Sequence, residues 1–527
     1  MENLEVFLVA LFVSVALLNA IASWLDLPYP IVLVAGGLAL ALVPGVPTVE
    51  LEPDLVLTIF LPPLLYSAAF FSDLRALRQD IRPISLISIG LVIVTAVVVA
   101  VAAHVVIDMS WPMSFALGAI VSPTDPVAAT ALMRRVGAPR RIVNVIEGES
   151  QINDAAALVL YRTAVATAVG GSFSLLGTSL EFVGAVVGGI AIGLAVGFVI
   201  TEIRRRLDDV PTEITISLLT GYAAFLPAEE LGLSGVLAAV TAGIYLGWNA
   251  PRIASPQMRL QGLAVWEILV FLLNATLFIL IGLQLPVAAD GIEDLSAAEL
   301  AGYAALVIGV VLACRFAWLF TTPYLIRLLD RRPQQRARRV GPQARIVIAW
   351  SGMRGAVTLA AALALPLTTD AGAALPEREL IQFIAFAVIL VSVVGQGLTL
   401  PALIRRLGVV EDASEYEKEE VEARLAAIEA AAERLQELTR EEWVNEDTVE
   451  RVRSMLDFRM RRFSARGDEE DDGAIEERSR AYQRLMRELY VAQRLALAEL
   501  HRSGEIGTEV MRQIVREIDL EESRLEI

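Results

Sequence analysis

Three clusters of polar residues interrupt stretches that are otherwise apolar, and ionisable groups at membrane depth are costly enough to be functional by default. The first is Ser122-Pro123-Thr124-Asp125-Pro126. Its prolines remove backbone donors and their rings obstruct preceding carbonyls, so the spacing predicts a helix broken at mid-membrane. Carbonyls freed there can bind a cation, and Asp125 can face the positive end of the helix that follows. The second cluster is Glu147-Gly148-Glu149-Ser150-Gln151-Ile152-Asn153-Asp154. Glu149 and Asn153 are four apart, as are Ser150 and Asp154, so each pair shares a helical face. Hydroxyl and carboxylate on one stripe make half of a hard-oxygen site for a monovalent cation. A buried Asp154 that either holds such an ion or carries a proton would exchange the two by competition. The third cluster, Trp350-Ser351-Gly352-Met353-Arg354-Gly355, combines helix-weakening glycines with an arginine that requires a buried anion. Glu149 is the candidate partner, in a pair that positions the core without binding the ion.

Such clusters need a membrane-spanning scaffold, and the composition supplies one. Of 527 residues 55% are hydrophobic and only 20% charged, and the mean hydropathy is +0.59. These values exclude disorder and a solvated enzyme of several ordinary domains. Thirteen apolar stretches fall near 4–25, 30–46, 54–71, 82–107, 112–133, 142–170, 178–203, 211–228, 231–248, 262–286, 298–321, 344–366 and 378–404. Loops after the odd-numbered spans, from the third onward, carry arginine: Arg75, Arg78 and Arg82; Arg134, Arg135, Arg140 and Arg141; Arg204 to Arg206; Arg252 and Arg259; Arg327 to Arg339; Arg405 and Arg406. The opposite loops hold acids such as Glu50, Glu52, Asp108, Glu229, Glu230, Glu293 and Asp294. Positive residues stay on the cytoplasmic side, which predicts a multi-pass protein of the cell membrane with its N-terminus outside.

The broken spans five and twelve are seven apart and therefore cross in opposite directions. Spans one to six and eight to thirteen form an inverted-topology pair, with the two broken helices crossing at the midplane and span seven as linker. That architecture suits a secondary transporter rather than an enzyme. The net charge of -17 is unevenly spread, -4 up to residue 410 and -13 beyond it. The expected fold is therefore an all-α transmembrane domain over 1–410 and a helical cytoplasmic domain over 411–527, divided at the acidic cluster Asp468 to Asp472. A single cysteine, Cys314, excludes a disulfide framework and a cysteine-rich metal site. Arg162 and Arg315 are read as snorkelling to an interface or pairing with acids. The Arg327–Arg339 loop is explained by topology, with anionic lipid as a possible contact and no nucleic acid.

The chain resembles the monovalent cation/proton antiporter family, in the branch of archaeal and bacterial sodium/proton antiporters and animal and plant sodium/proton exchangers. The resemblance covers about the first 405 residues and rests on separated motifs. They are Leu61-Pro62-Pro63-Leu64-Leu65-Tyr66, Ser122 to Ala128, Gly148-Glu149-Ser150 with Asn153-Asp154, Phe271 to Asn274 with Ile281 to Gln284, and Gly352 with Arg354 to Val357. It implies that Asp154, Ser150 and the Thr124 carbonyl ligate the cation, that Asp125 acts through water or by compensating helix dipoles, and that Glu149 pairs with Arg354. It further implies a homodimer, no cofactor, and an elevator-like movement of a core bundle. Asn153-Asp154 resembles the electroneutral branch, where an electrogenic relative has two aspartates. Ser67 departs from the pattern, since the family often has an acid there that could serve as a ligand or as a partner of Asn153. Sodium is the expected ion, with potassium as the alternative. An intramembrane aspartyl protease would also need two membrane aspartates, but its Gly-x-Gly-Asp signature is absent. A channel would dissipate a gradient without a counter-ion.

Overall fold

The computed structural model describes residues 2–43, 53–79, 84–170, 175–207, 209–290, 292, 295–329, 341–411, 413–441, 443–467 and 474–526. Outside them lie Glu50, Glu52, Arg82, Glu293, Asp294, the basic loop from Arg331 to Arg339 and the acids Asp468 to Asp472. Among the described residues the chain is helical, and its strand-like feature is an isolated antiparallel bridge between Thr368 and Ala374. The chain divides into two compact units, Met1–Glu411 and Asp412–Ile527.

Helix lies over each of the thirteen apolar stretches of the first unit. Among the described residues, six helices are long and apolar enough to cross a membrane, including Leu86–Val106, Pro256–Pro286 and Arg378–Leu407. Two stretches are split as their prolines and glycines dictate. One gives helices Trp111–Val121 and Pro126–Arg135; the other gives Pro342–Trp350 and Ala356–Leu363. Pro126 opens its half-helix, where a missing N–H costs nothing. The unbroken helix Arg140–Val169 carries the second polar cluster past both breaks.

Apolar packing holds these pieces in register. Ala129, Ile146, Val347, Leu400 and Ile404, from four different stretches, share one buried cluster. Helix Pro256–Asp290 lies against helix Tyr29–Ala41, where Tyr29 meets Phe271 and Phe278 edge to face with ring centroids 5.3 and 6.5 Å apart. The two backbones approach closely at glycine: a methyl on Gly37 would overlap the Ile279 carbonyl, and one on Gly282 the Val34 carbonyl. Small residues that admit backbone contact are how helices associate where lipid removes the hydrophobic drive.

The second unit is built from amphipathic helices. Ile428 of helix Ala413–Leu438 packs on Leu456 and Phe463 of helix Glu446–Gly467. Arg494 of helix Ala474–Arg502 bonds Asp519 of helix Thr508–Ser523 at 2.6 Å.

Gly282→Ala should destabilise the first unit by about 1–3 kcal/mol, the usual effect of overpacking, read as a lower midpoint of thermal unfolding in detergent. Gly302→Ala, whose added methyl meets no atom within 4 Å in helix Ala297–Leu329, should not lower that midpoint, since alanine favours the helix over glycine.

Candidate site at the crossing of the two broken helices

The breaks meet. Asp125 donates its backbone N–H to the Met353 carbonyl at 2.8 Å, joining the extended segment of one broken span to that of the other. Four helix ends therefore converge in the interior, and each has unsatisfied backbone groups and a partial charge. Asp125 serves both N-terminal ends. Its Oδ1 accepts from the N–H of Val127 at 2.9 Å and its Oδ2 from the N–H of Ala356 at 3.0 Å. Gly355, which precedes Ala356, has no side chain to cap that helix, and a methyl there would collide with the Asp125 carboxylate.

Arginines serve the two C-terminal ends. Arg354 Nε donates to the Val121 carbonyl at 3.1 Å, and its Nη1 to Gly352. Arg315 Nε donates to the carbonyls of Ile348 and Ala349 at 3.3 and 3.2 Å. Gly352 is required for this second contact, because a methyl would occupy the position of the Arg315 guanidinium.

Arg315 also holds Glu149, in a two-pronged pair at 2.5 and 2.9 Å with both side chains 1% exposed. This corrects the sequence-based expectation that Arg354 is the partner of Glu149. Among the described residues no ion pair joins those two, because Arg354 is turned to the helix end at Val121. Of the two readings of Arg315 from the sequence, snorkelling to an interface or pairing with an acid, the structure shows the second. The helix runs Ala297–Leu329, which puts Arg315 well inside it.

From Glu149 the network continues. Thr124 Oγ1 donates to Glu149 at 3.1 Å and accepts from Asn153 Nδ2 at 2.8 Å. Asn153 Oδ1 is buried and has no hydrogen-bond partner among the described residues. Ser67 is buried and its hydroxyl bonds the Leu64 carbonyl at 3.0 Å. Asp154 differs from the other two carboxylates: among the described residues neither a hydrogen bond nor an ion pair engages it. It lines a cavity of about 440 Å3 together with Ser67, Thr124, Asp125 and Ser150. Glu267 lines the same cavity, as do Arg134 and Glu147, which pair at 2.6 Å.

Asp125, Thr124, Ser150 and Asp154 are thus brought to one cavity, with Asn153 hydrogen-bonded to Thr124 behind it. Oxygen ligands with room for a small ion suit a weakly held alkali cation. Among the described residues no His/Cys/Asp/Glu group of the kind that holds a resident metal occurs.

The pairing of Glu149 is open to a double-mutant cycle. Removing one partner of a buried pair costs about 3–5 kcal/mol, so Arg315→Met and Glu149→Gln should each lower unfolding stability strongly. The double variant should lose far less than their sum, whereas Arg354→Met with Glu149→Gln should be closer to additive.

Comparison with known proteins agrees with this geometry. Residues 8–406 match the family described as sodium/hydrogen exchanger, transmembrane. An uncharacterised Na+/H+ exchanger of Mycobacterium tuberculosis is 37% identical over 99% of this chain and 96% of its own. A sodium, potassium, lithium and rubidium/H+ antiporter of Bacillus pumilus is 34% identical over 75% of this chain and 60% of its own. In fold, the sodium proton antiporter MjNhaP1 of Methanocaldococcus jannaschii is similar with a TM-score of 0.59, 19% identity, and coverage of 78% of this chain and all of the other. The chain belongs to the sodium/hydrogen exchanger family.

Proposed function

We propose that this chain exchanges sodium or lithium for protons, one for one, by alternating access with both ions competing for Asp154. The observation that carries this reading is the charge inventory of the crossing. Asp125 is matched by two helix N-termini, and Glu149 by Arg315. Arg354 is held by a carbonyl at a helix C-terminus. Among the described residues, the buried Asp154 has no hydrogen-bonded or ion-paired partner while opening onto a cavity. A carboxylate left so inside a membrane demands a mobile positive charge, and either a proton or a monovalent cation meets that demand. Occupied by either, the site has the same net charge, which is the physical basis of electroneutral exchange.

In this reading Ser150, the Thr124 carbonyl and Asn153 Oδ1 complete the coordination of the ion around Asp154. The orphaned Asn153 oxygen supports that role, since a buried acceptor without a donor is filled by water or a cation. Spans one to six and eight to thirteen are the inverted repeats of a thirteen-span domain over 1–410, and residues 411–527 form a cytoplasmic helical domain. With the N-terminus outside, the Arg134 end of the cavity faces the cytoplasm, so the described state is open inward. A homodimer would supply the fixed scaffold against which the core moves.

Potassium/proton exchange remains a second reading, favoured by the Bacillus pumilus relative's several cations and by Ser67, which adds no charge to the cavity.

Proteoliposomes containing an interior pH dye provide the test. Sodium should alkalinise the lumen with wild type and give no response with Asp154→Asn. A response to potassium alone would keep the mechanism and change the ion, whereas full activity in Asp154→Asn would overturn the competition. The initial rate should also be unchanged when a membrane potential is imposed, and a rate that follows the potential would contradict one-for-one exchange.

A further inference from the structure

Resting on that reading, we propose that the helix carrying Asp154 also lines the outer entry of the transport path, and that an ion pair between Arg162 and Glu229 is the gate that closes it. Along helix Arg140–Val169 the inner cavity ends at Asp154. A separate cavity of about 190 Å3 begins at Leu158, one turn on, and continues over Val159, Arg162, Thr163 and Ala166. Asp154, Leu158, Arg162 and Ala166 follow at four-residue spacing, a ridge on which neighbours lie one turn apart. Arg162 thus stands about 12 Å beyond Asp154 along the axis, at 1.5 Å per residue. Leu158, buried and apolar, lines the outer cavity and not the inner one.

Across the outer cavity lies the turn between helices Val210–Glu230 and Gly235–Ile253. Arg162 forms an ion pair with Glu229 and donates from Nη1 to the Leu233 carbonyl at 3.3 Å. Glu229 is itself held in place, accepting from the N–H of Gly235 at 3.0 Å. One side chain therefore ties the helix of the exchange site to a different helix pair, at the end away from the open cavity. Movement of the Asp154 helix toward an outward-open state has to break this tie. Once broken, it leaves Glu229 as a free carboxylate at the outer cavity, able to attract a hydrated cation. Arg162 and that cation compete for the same group, so the gate is closed when the outer cavity is empty.

The experiment places single cysteines in a Cys314→Ser background: Leu158→Cys for the outer path and Ser67→Cys for the inner cavity. Each is labelled with a membrane-impermeant thiol reagent in oriented vesicles. Arg162→Gln should raise labelling of Leu158→Cys from the outside by roughly threefold to fivefold, the effect of losing a partly exposed ion pair, without raising labelling of Ser67→Cys from the inside. Exchanging the charges, Arg162→Glu with Glu229→Arg, should restore slow outer labelling. Equal outer labelling with and without Arg162, or a rise at both positions together, would overturn the gate and leave the pair a structural contact. Absence of sodium/proton exchange in wild type would defeat the transport reading by itself, because the labelling is read without transport.

Discussion

Four helix ends cannot be left unsatisfied in the interior of a membrane protein, and the crossing exists because three charged side chains satisfy them. Asp125 bonds the first free N–H groups of two half-helices, while Arg354 and Arg315 bond the last carbonyls of the other two. Backbone of this kind is tolerated at membrane depth only where protein or a cavity replaces the missing helix bonds. The glycines follow from the same constraint: Gly352 leaves room for Arg315, and Gly355 leaves room for Asp125. Glu149 then neutralises Arg315, and Thr124 and Asn153 are fixed through Glu149. Among the described residues of the crossing, Asp125, Glu149, Arg315 and Arg354 are each engaged, whereas Asp154 has neither a hydrogen bond nor an ion pair.

Much of this was legible in the sequence because the signals were local. Pro123 and Pro126 announce one broken helix, and Gly352 and Gly355 the other, since each residue type changes what its own backbone can do. The four-residue spacing from Ser150 to Asp154 likewise fixes a shared helical face. Thirteen apolar stretches were visible for the same reason, each now overlain by helix.

The identity of the partner of Glu149 was not local. Several arginines lie within apolar spans, Arg162, Arg315, Arg345 and Arg354 among them, and periodicity shows which face an arginine occupies without showing which helix lies opposite. Arg354 adjoins the break and was the natural choice, yet the crossing directs it to Val121. Arg204 shows the same limit. Read with Arg205 and Arg206 as loop charge, it is 1% exposed and faces Glu213 at 3.4 Å. Charges that mark a loop by their number can include one that is drawn into the interior by a single acid.

A cation held at a competing carboxylate must displace that carboxylate's proton, so binding itself carries the signature of the mechanism. Calorimetric titration of the purified protein with sodium, in buffers of different ionisation enthalpy, counts the protons released for each ion bound. A release approaching one proton per sodium is expected when Asp154 is protonated beforehand, and none in Asp154→Asn. Sodium binding without proton release at every pH, or an unchanged release in Asp154→Asn, would contradict competition at Asp154.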